Sequence, residues 1–443
     1  MQIQLSDHFT YRRLFRFVLP SIVMMIFTSI YGVVDGLFVS NFVGKTPFAA
    51  LNLIFPFIMV LGAVGFMLGT GGSAYVGKTL GEGKKEEANQ YFSLLIYTAI
   101  IAGVVLAILG IIFVRPVARF LGADDAMIDH CVIYARIILA ALPAFMLQNM
   151  FQSFLITAEK PTMGLIVTVA AGVTNMFLDG LFIAVFNWGL AGAAMATAMS
   201  QCVGGIVPLL YFCRENSSLL RLTETRFYGN VLWHSCSNGV SELLSNVSMS
   251  IVSMLYNFQL MRVAGENGIA AYGVIMYVQF IFIAIFIGYS IGTAPIISFN
   301  YGAGNHVELQ NLFKKSAVVI IGTSVVLTAT ALLLSGILSG LFVGYDESLC
   351  DMTTRGFQLC SIAFLFCGIG IFGSSLFTAL NNGIVSAVIS FLRSVVFQVA
   401  AVIVLPIFFG LDGIWASVML AELAGMLITL FFVVKLKDRY HYM

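Results

Sequence analysis

Apolar residues run in long blocks along this chain, and short polar breaks separate them. Twelve blocks reach the ~20 residues that a membrane-spanning helix needs: roughly 14–39, 48–75, 91–114, 131–156, 163–186, 190–212, 235–261, 269–296, 316–341, 355–380, 384–409 and 413–435. The breaks carry charges or turn residues, as in Gly81-Glu82-Gly83-Lys84-Lys85, Asp124-Asp125, Asp346-Glu347 and Asn381-Asn382-Gly383. The pattern predicts an all-α membrane protein of twelve transmembrane helices. The first block follows Arg12, Arg13 and Arg16 but is too long for a signal peptide and has no small-residue cleavage site, so it reads as the first span.

The twelve blocks form two sets of six. Shifting the chain by 221 residues lays Gly44 on Gly265, Leu80-Gly81-Glu82-Gly83 on Tyr301-Gly302-Ala303-Gly304, Gly189-Leu190-Ala191-Gly192 on Gly410-Leu411-Asp412-Gly413, and Gly204 on Gly425. One offset serving so many glycines indicates an internal duplication. Six spans precede the shift, so the second copy keeps the orientation of the first. The expected organisation is an N-terminal six-helix lobe (1–213), a polar linker (214–230) and a C-terminal six-helix lobe (231–443). Such a V-shaped pair of parallel repeats around a central cavity is a transporter architecture.

Composition agrees with a lipid-solvated chain: of 443 residues, 60% are apolar and 10% charged. Lys and Arg fall mainly on one side. With both termini cytoplasmic, 15 lie inside, 6 outside (Lys45, Arg115, Arg119, Arg136, Arg262 and Arg355), and Arg393 lies within a span. The positive-inside rule therefore predicts a multi-pass cell (inner) membrane protein with both ends in the cytoplasm. The net charge of +1 and the lack of a basic stripe argue against a nucleic-acid partner. The seven cysteines form neither a CxxC pair nor a metal-ligand spacing, and no metal is expected beyond a coupling Na+.

Gly72-Ser73-Ala74-Tyr75-Val76-Gly77-Lys78-Thr79 matches the P-loop pattern letter for letter. A span precedes it and another follows about a dozen residues later, which leaves no room for the strand and nucleotide domain the motif requires. It reads as a small-residue helix end, so an ion gradient rather than ATP becomes the expected energy source.

The chemistry lies in polar residues inside the spans, which are costly there and functional by default. On the first helix Tyr31 and Asp35 are one turn apart and share a face, as do Asn175 and Asp179 on the fifth. Thr197 sits about 10 Å into the sixth helix, at similar depth. Two close carboxylates in low dielectric do not both ionise easily, so the site can hold a proton; with amide and hydroxyl oxygens it can also hold a small cation. At the 221-residue shift these positions become Val252, Tyr256, Val396, Ala400 and Val418, so the cluster is expected in the N-terminal lobe alone. In the other lobe Arg393 and Glu422 reach nearly equal depth and are expected to pair for structural reasons. Glu242 and Tyr256 are candidate cavity residues there. Pro20 removes a backbone hydrogen bond from the helix that carries Asp35 and is a candidate kink.

With these residues in view, the chain resembles the multidrug and toxic compound extrusion (MATE) transporters, nearest their prokaryotic DinF-like and MepA-like branch. The resemblance rests on the twelve spans in two parallel repeats, Pro20, Tyr31-x-x-x-Asp35, Asn175-x-x-x-Asp179, Thr197 and the Gly-Glu-Gly loop. It implies export of organic cations and drugs against H+ or Na+, without a cofactor, by a chain expected to be monomeric in membrane lipid. It also implies a cation site of Asp35, Asn175, Asp179 and Thr197 with Tyr31 adjoining, and adds Asn149 on the fourth helix. Another branch of the family places acidic ligands in the C-terminal lobe, where this chain has Met249. Two alternatives remain. One is a flippase of lipid-linked saccharides from the same superfamily, which would want several cationic side chains in its cavity. The other is an intramembrane enzyme, for which His8, His130, His234, His306 and His441 are poorly placed, all at loops or span ends.

Overall fold

The structure, a computed structural model, describes residues 3–344 and 346–443, with the side chains of Leu37, Ser40, Asn41 and Lys45 outside the description. The first two residues of the expected N-terminal lobe and the Lys45 charge counted above therefore lie outside the described residues.

The N-terminal lobe begins with α1 (Tyr11–Phe42), α2 (Lys45–Gly81) and α3 (Lys85–Phe120). α4 is one span made of Ile128–Ala140 and Leu142–Thr157, bent by 58° at Ala141. α5 runs Pro161–Asp179 and continues as a π-helical turn over Gly180–Val185, and α6 is Gly189–Cys213. In the second lobe the helical stretch Gly229–Gly302 breaks at Gly265 into α7 (229–264) and α8 (266–302). α9 is His306–Val343, and α10 is Glu347–Ser361 with Phe364–Ala379, bent by 47°. α11 runs Gly383–Phe391, a π turn over Leu392–Phe397, and on to 409. It is separated at Gly410 from α12 (411–440). Among the described residues eight helices are long and apolar enough to span. Adding the two bent pairs and dividing at Gly265 and Gly410 gives the twelve spans. The P-loop look-alike lies wholly inside α2.

The duplication is visible in the backbone. Gly44 and Gly265, Gly83 and Gly304, and Gly189 and Gly410 all adopt positive φ, in the left-handed half of conformational space, and each pair is 221 residues apart. Glycine enters that region without Cβ penalty, so these are the hairpin corners between consecutive spans. The bend of α4 also recurs at the matching place in α10.

The lobes meet where both termini lie. A Cβ on Gly81 would stand 2.0 Å from the Phe299 carbonyl oxygen, and one on Gly302 would stand 2.0 Å from the Lys78 carbonyl oxygen. Lys78 and Phe299 are themselves repeat mates, as are Gly81 and Gly302, so the pseudo-two-fold axis passes between these helix ends. Gly71 meets the Ser235 carbonyl, Gly239 the Met67 carbonyl, and Gly288 the Ile22 backbone. At the opposite end Gly32, Gly36, Gly44, Gly265 and Gly273 have nothing within 4 Å of a would-be Cβ. The cleft is therefore shut on the side of the termini and open on the far side. The linker is pinned to α3, since Arg221 N–H donates to Asn89 Oδ1 and Thr223 N–H to Ser93 Oγ, both at 2.9 Å.

Large apolar side chains stay exposed along the outward faces, as at Ile101 and Ile112 on α3, Leu333, Ile337 and Leu341 on α9, and Phe408 on α11. Stripes of this size on a water-facing surface would be an aggregation liability; against lipid tails they cost nothing.

Candidate functional site

α1 and α5 pack together, and small residues let them approach. A Cβ on Gly172 would collide with the Phe27 ring at 2.5 Å and touch Tyr31 at 3.1 Å. That contact lays the Tyr31–Asp35 face of α1 on the Asn175–Asp179 face of α5. The Asp35 carboxyl comes within side-chain hydrogen-bonding reach of the Asp179 carboxyl and the Asn175 amide. Asn175 Nδ2 donates to Thr197 Oγ1 at 3.5 Å, which ties α6 into the group. Asp179 is fully buried, and neither of its oxygens nor Asp35 Oδ1 completes a hydrogen bond of good geometry. Among the described residues no Lys, Arg or His pairs with either acid. The structure thus brings Tyr31, Asp35, Asn175, Asp179 and Thr197 together.

Asn149 is buried on α4 and its amide reaches across to the Gly62 carbonyl of α2 at 3.5 Å. Sequence reasoning missed a further neighbour of the acids: Tyr134, buried on the first half of α4, has its hydroxyl close to Asp35 and Asp179. A tyrosine within an apolar run has no local mark that separates it from the other aromatic fillers. The π turn beginning at Gly180, directly after Asp179, was equally invisible; such turns cluster at functional sites because they break helical register at one point.

The second lobe fills the equivalent place differently. Tyr256, the repeat mate of Asp35, is buried rather than at a cavity wall. Its hydroxyl is engaged by Gln398 at 2.9 Å and Ser417 at 2.6 Å, and its ring stacks on Tyr272 at 5.3 Å. The acid site of one lobe is a closed, neutral hydrogen-bonded triad in the other, which corrects the reading of Tyr256 as a cavity residue.

Arg393 Nη1 donates to Glu422 Oε2 at 3.2 Å. The arginine stem threads between Gly370 and Gly425, where a Cβ would strike it at 2.8 and 2.5 Å. Arg393 lies in the second π turn, and its charge also acts on the partly buried Glu242 of α7. Removing one partner of a buried pair strands the other. Glu422→Leu is expected to cost ~3–5 kcal/mol, whereas Arg393→Met with Glu422→Leu should recover most of it. The unfolding midpoint in detergent reads this directly, and equal loss in both variants would contradict it. Pro20 lies inside the continuous α1, next to Ser21 and Ile22, where α1 abuts Gly288 of the other lobe.

Comparison with known proteins agrees with this fold. The MatE family matches the chain twice, over residues 20–181 and 243–404. The chain belongs to the MatE family. The two matches fall one in each lobe. MatE proteins are transporters rather than enzymes. Curated relatives include the multidrug export protein MepA of Staphylococcus saprophyticus, 25% identical over 97% of this chain and 94% of the relative, and that of Staphylococcus haemolyticus, 24% identical over the same shares. Among solved structures, a MATE protein in complex with MaL6 superposes with a TM-score of 0.90 at 23% identity, covering 96% of each chain. The outward-facing conformation of a multidrug resistance MATE family transporter of the MOP superfamily gives 0.90 at 21%, covering 96% of this chain and 95% of that one. These likenesses establish the fold: a helical, multi-pass membrane protein of two repeated lobes.

Proposed function

We propose that this protein is a secondary multidrug exporter that expels small, mainly cationic organic molecules in exchange for H+ or Na+ moving inward. The observation that carries the reading is the pair Asp35–Asp179, the second fully buried and the first partly so, with no cationic partner among the described residues. Carboxyls so placed must share a proton or coordinate a cation, because two bare charges at this depth are prohibitively costly. The donors on hand are carboxylate, amide and hydroxyl oxygens, a hard set that suits H+ or Na+ and not a soft metal. The names of the MepA relatives support the substrate class. Arg393, deep in its span, is committed to Glu422 rather than free to meet a diphosphate, which disfavours the flippase reading.

In this reading residues 1–213 carry the coupling site, 214–230 link the lobes on the cytoplasmic face and 231–443 complete the cleft of a monomer. Occupation of the acid pair changes the packing of α1 on α5, and the lobes exchange which end is open. The chain sits in the cell membrane with both termini cytoplasmic, so the open end faces outward. Purified protein in proteoliposomes tests this: transport of a fluorescent organic cation should rise severalfold when an H+ or Na+ gradient is imposed, and collapse with an ionophore that dissipates that gradient. Equal rates with and without either gradient would overturn the coupling.

A further inference from the structure

The acid site accounts for the far half of α1, but not for what the chain does before α1 begins. Residues 5–9 lie under the shut end of the cleft, opening with a turn in which Asp7 N–H donates to the Gln4 carbonyl at 3.1 Å. Leu5 and Phe9 are fully buried, and their side chains belong to the core of the C-terminal lobe. The backbone is clamped along its length. Asn300 Nδ2 of α8 donates to the Leu5 carbonyl at 3.3 Å. Phe9 N–H donates to Glu308 Oε1 at 3.0 Å, and His8 Nδ1 lies 2.7 Å from Glu308 Oε2. Asn311 Nδ2 and Lys315 Nζ donate to the Phe9 carbonyl at 3.0 and 2.7 Å. All of these partners belong to the second lobe, although the strap leads directly into the first helix of the first lobe.

Contacts with the first lobe tie the strap back, among them Arg13 Nη1 of α1, which donates to the His8 carbonyl at 3.3 Å. Glu159, in the turn after α4, accepts the Leu5 N–H at 2.7 Å through Oε1. Leu5 thus bridges the lobes, Glu159 on one side and Asn300 on the other. Glu159 itself has φ of 61°, the left-handed residue that closes α4, where Lys160 N–H returns to the Leu155 carbonyl at 2.8 Å.

We propose that residues 5–9 are a latch that holds the cleft shut on the side of the termini and must release before that side opens. The inference does not depend on which ion or drug is carried. The glycine contacts between α2 and α8 bring the lobes together through backbone atoms, with Lys78 Nζ of α2 over the Tyr301 ring of α8 at 5.7 Å. The latch adds charge-assisted hydrogen bonds, the stronger kind, at the rim where separation begins. Glu308, only 6% exposed at its side chain, would lose its Phe9 and His8 partners on release, which makes the shut state the resting one.

Spin labels at Lys85→Cys and Lys314→Cys, in a cysteine-free background, report the separation of the lobes at this end. The parent should give one short distance. Glu308→Ala, and independently Glu159→Gly, which suits the positive φ, should each raise the long-distance population about tenfold. Glu308→Gln keeps an acceptor for Phe9 N–H but loses the charge, and should fall between the parent and Glu308→Ala. An unchanged distance distribution in both Glu308→Ala and Glu159→Gly, whether or not they unfold at lower temperature, would overturn the latch and leave the strap a packing element. A variant that fails to fold is replaced by His8→Ala, which removes one bond and should shift the distribution in the same direction.

Discussion

Asp179→Asn is expected to reduce ion-driven efflux by ~5- to 150-fold, the span of a typical coupling free energy between two ligands, while leaving the folded protein as stable as the parent or more so. The two halves of that statement have one cause. Asp179 is fully buried and neither of its oxygens completes a hydrogen bond, a configuration that costs stability in a dry interior. The amide has nearly the same volume, carries no charge and brings two donors toward Asp35. A gain or parity in unfolding temperature with loss of transport is the signature of a group kept for function against stability. Asp35→Asn should behave alike, and the double variant should be little worse than either single one, since in the proposed reading both acids serve one ion and their losses cannot add. Organic-cation binding should change much less than transport. Efflux at the parental rate in Asp179→Asn, under a verified gradient, would remove the acid pair from the mechanism.

Much of this was legible in the sequence because membrane folding depends on coarse signals. Span length is set by bilayer thickness, so the twelve apolar blocks became the twelve helices. The offset glycines were readable because a corner needing positive φ admits few residues, and three of those pairs are such corners. The faces shared by Tyr31 with Asp35, and by Asn175 with Asp179, followed from helical spacing, and depth placed Thr197 with them. The remainder depends on contacts between distant segments. Tyr256 looked free because its partners, Gln398 and Ser417, lie 142 and 161 residues along the chain. The bend at Ala141 has a mark in Pro143, in the first turn of the second half-helix, but the contact of Tyr134 with the acids of α1 and α5 does not, and the π turns beside Asp179 and at Arg393 leave no compositional trace. The strap at Leu5 and Phe9 is too short for any periodicity. Which end of the cleft is shut is beyond sequence altogether, since one chain must be able to close both.

The shut end itself sets up the second large effect. Gly302→Val should abolish transport, with a loss of at least ~100-fold, and trap the cleft open on the side of the termini. The added Cβ would lie 2.0 Å from the Lys78 carbonyl oxygen and 2.9 Å from its Cα. No rotamer change relieves that contact, because the obstacle is backbone and the Cβ position is fixed. Within its own lobe Gly302 ends α8 and touches little, so each lobe can still fold and only their approach is blocked. Moving a two-state equilibrium from one side almost wholly to the other takes ~5.5 kcal/mol, and packed backbones yield so little that more than an ångström of overlap exceeds it. Gly81→Val meets the Phe299 carbonyl in the mirror arrangement and should trap the same state, whereas valine at the far-end Gly36, which has open space around it, should be tolerated. Distances between labels at Lys85→Cys and Lys314→Cys, measured beside the efflux rate, separate a trapped transporter from a misfolded one. A Gly302→Val protein that still transports at the parental rate would mean that the lobes never need this contact, and rocking about the pseudo-two-fold axis would have to be abandoned.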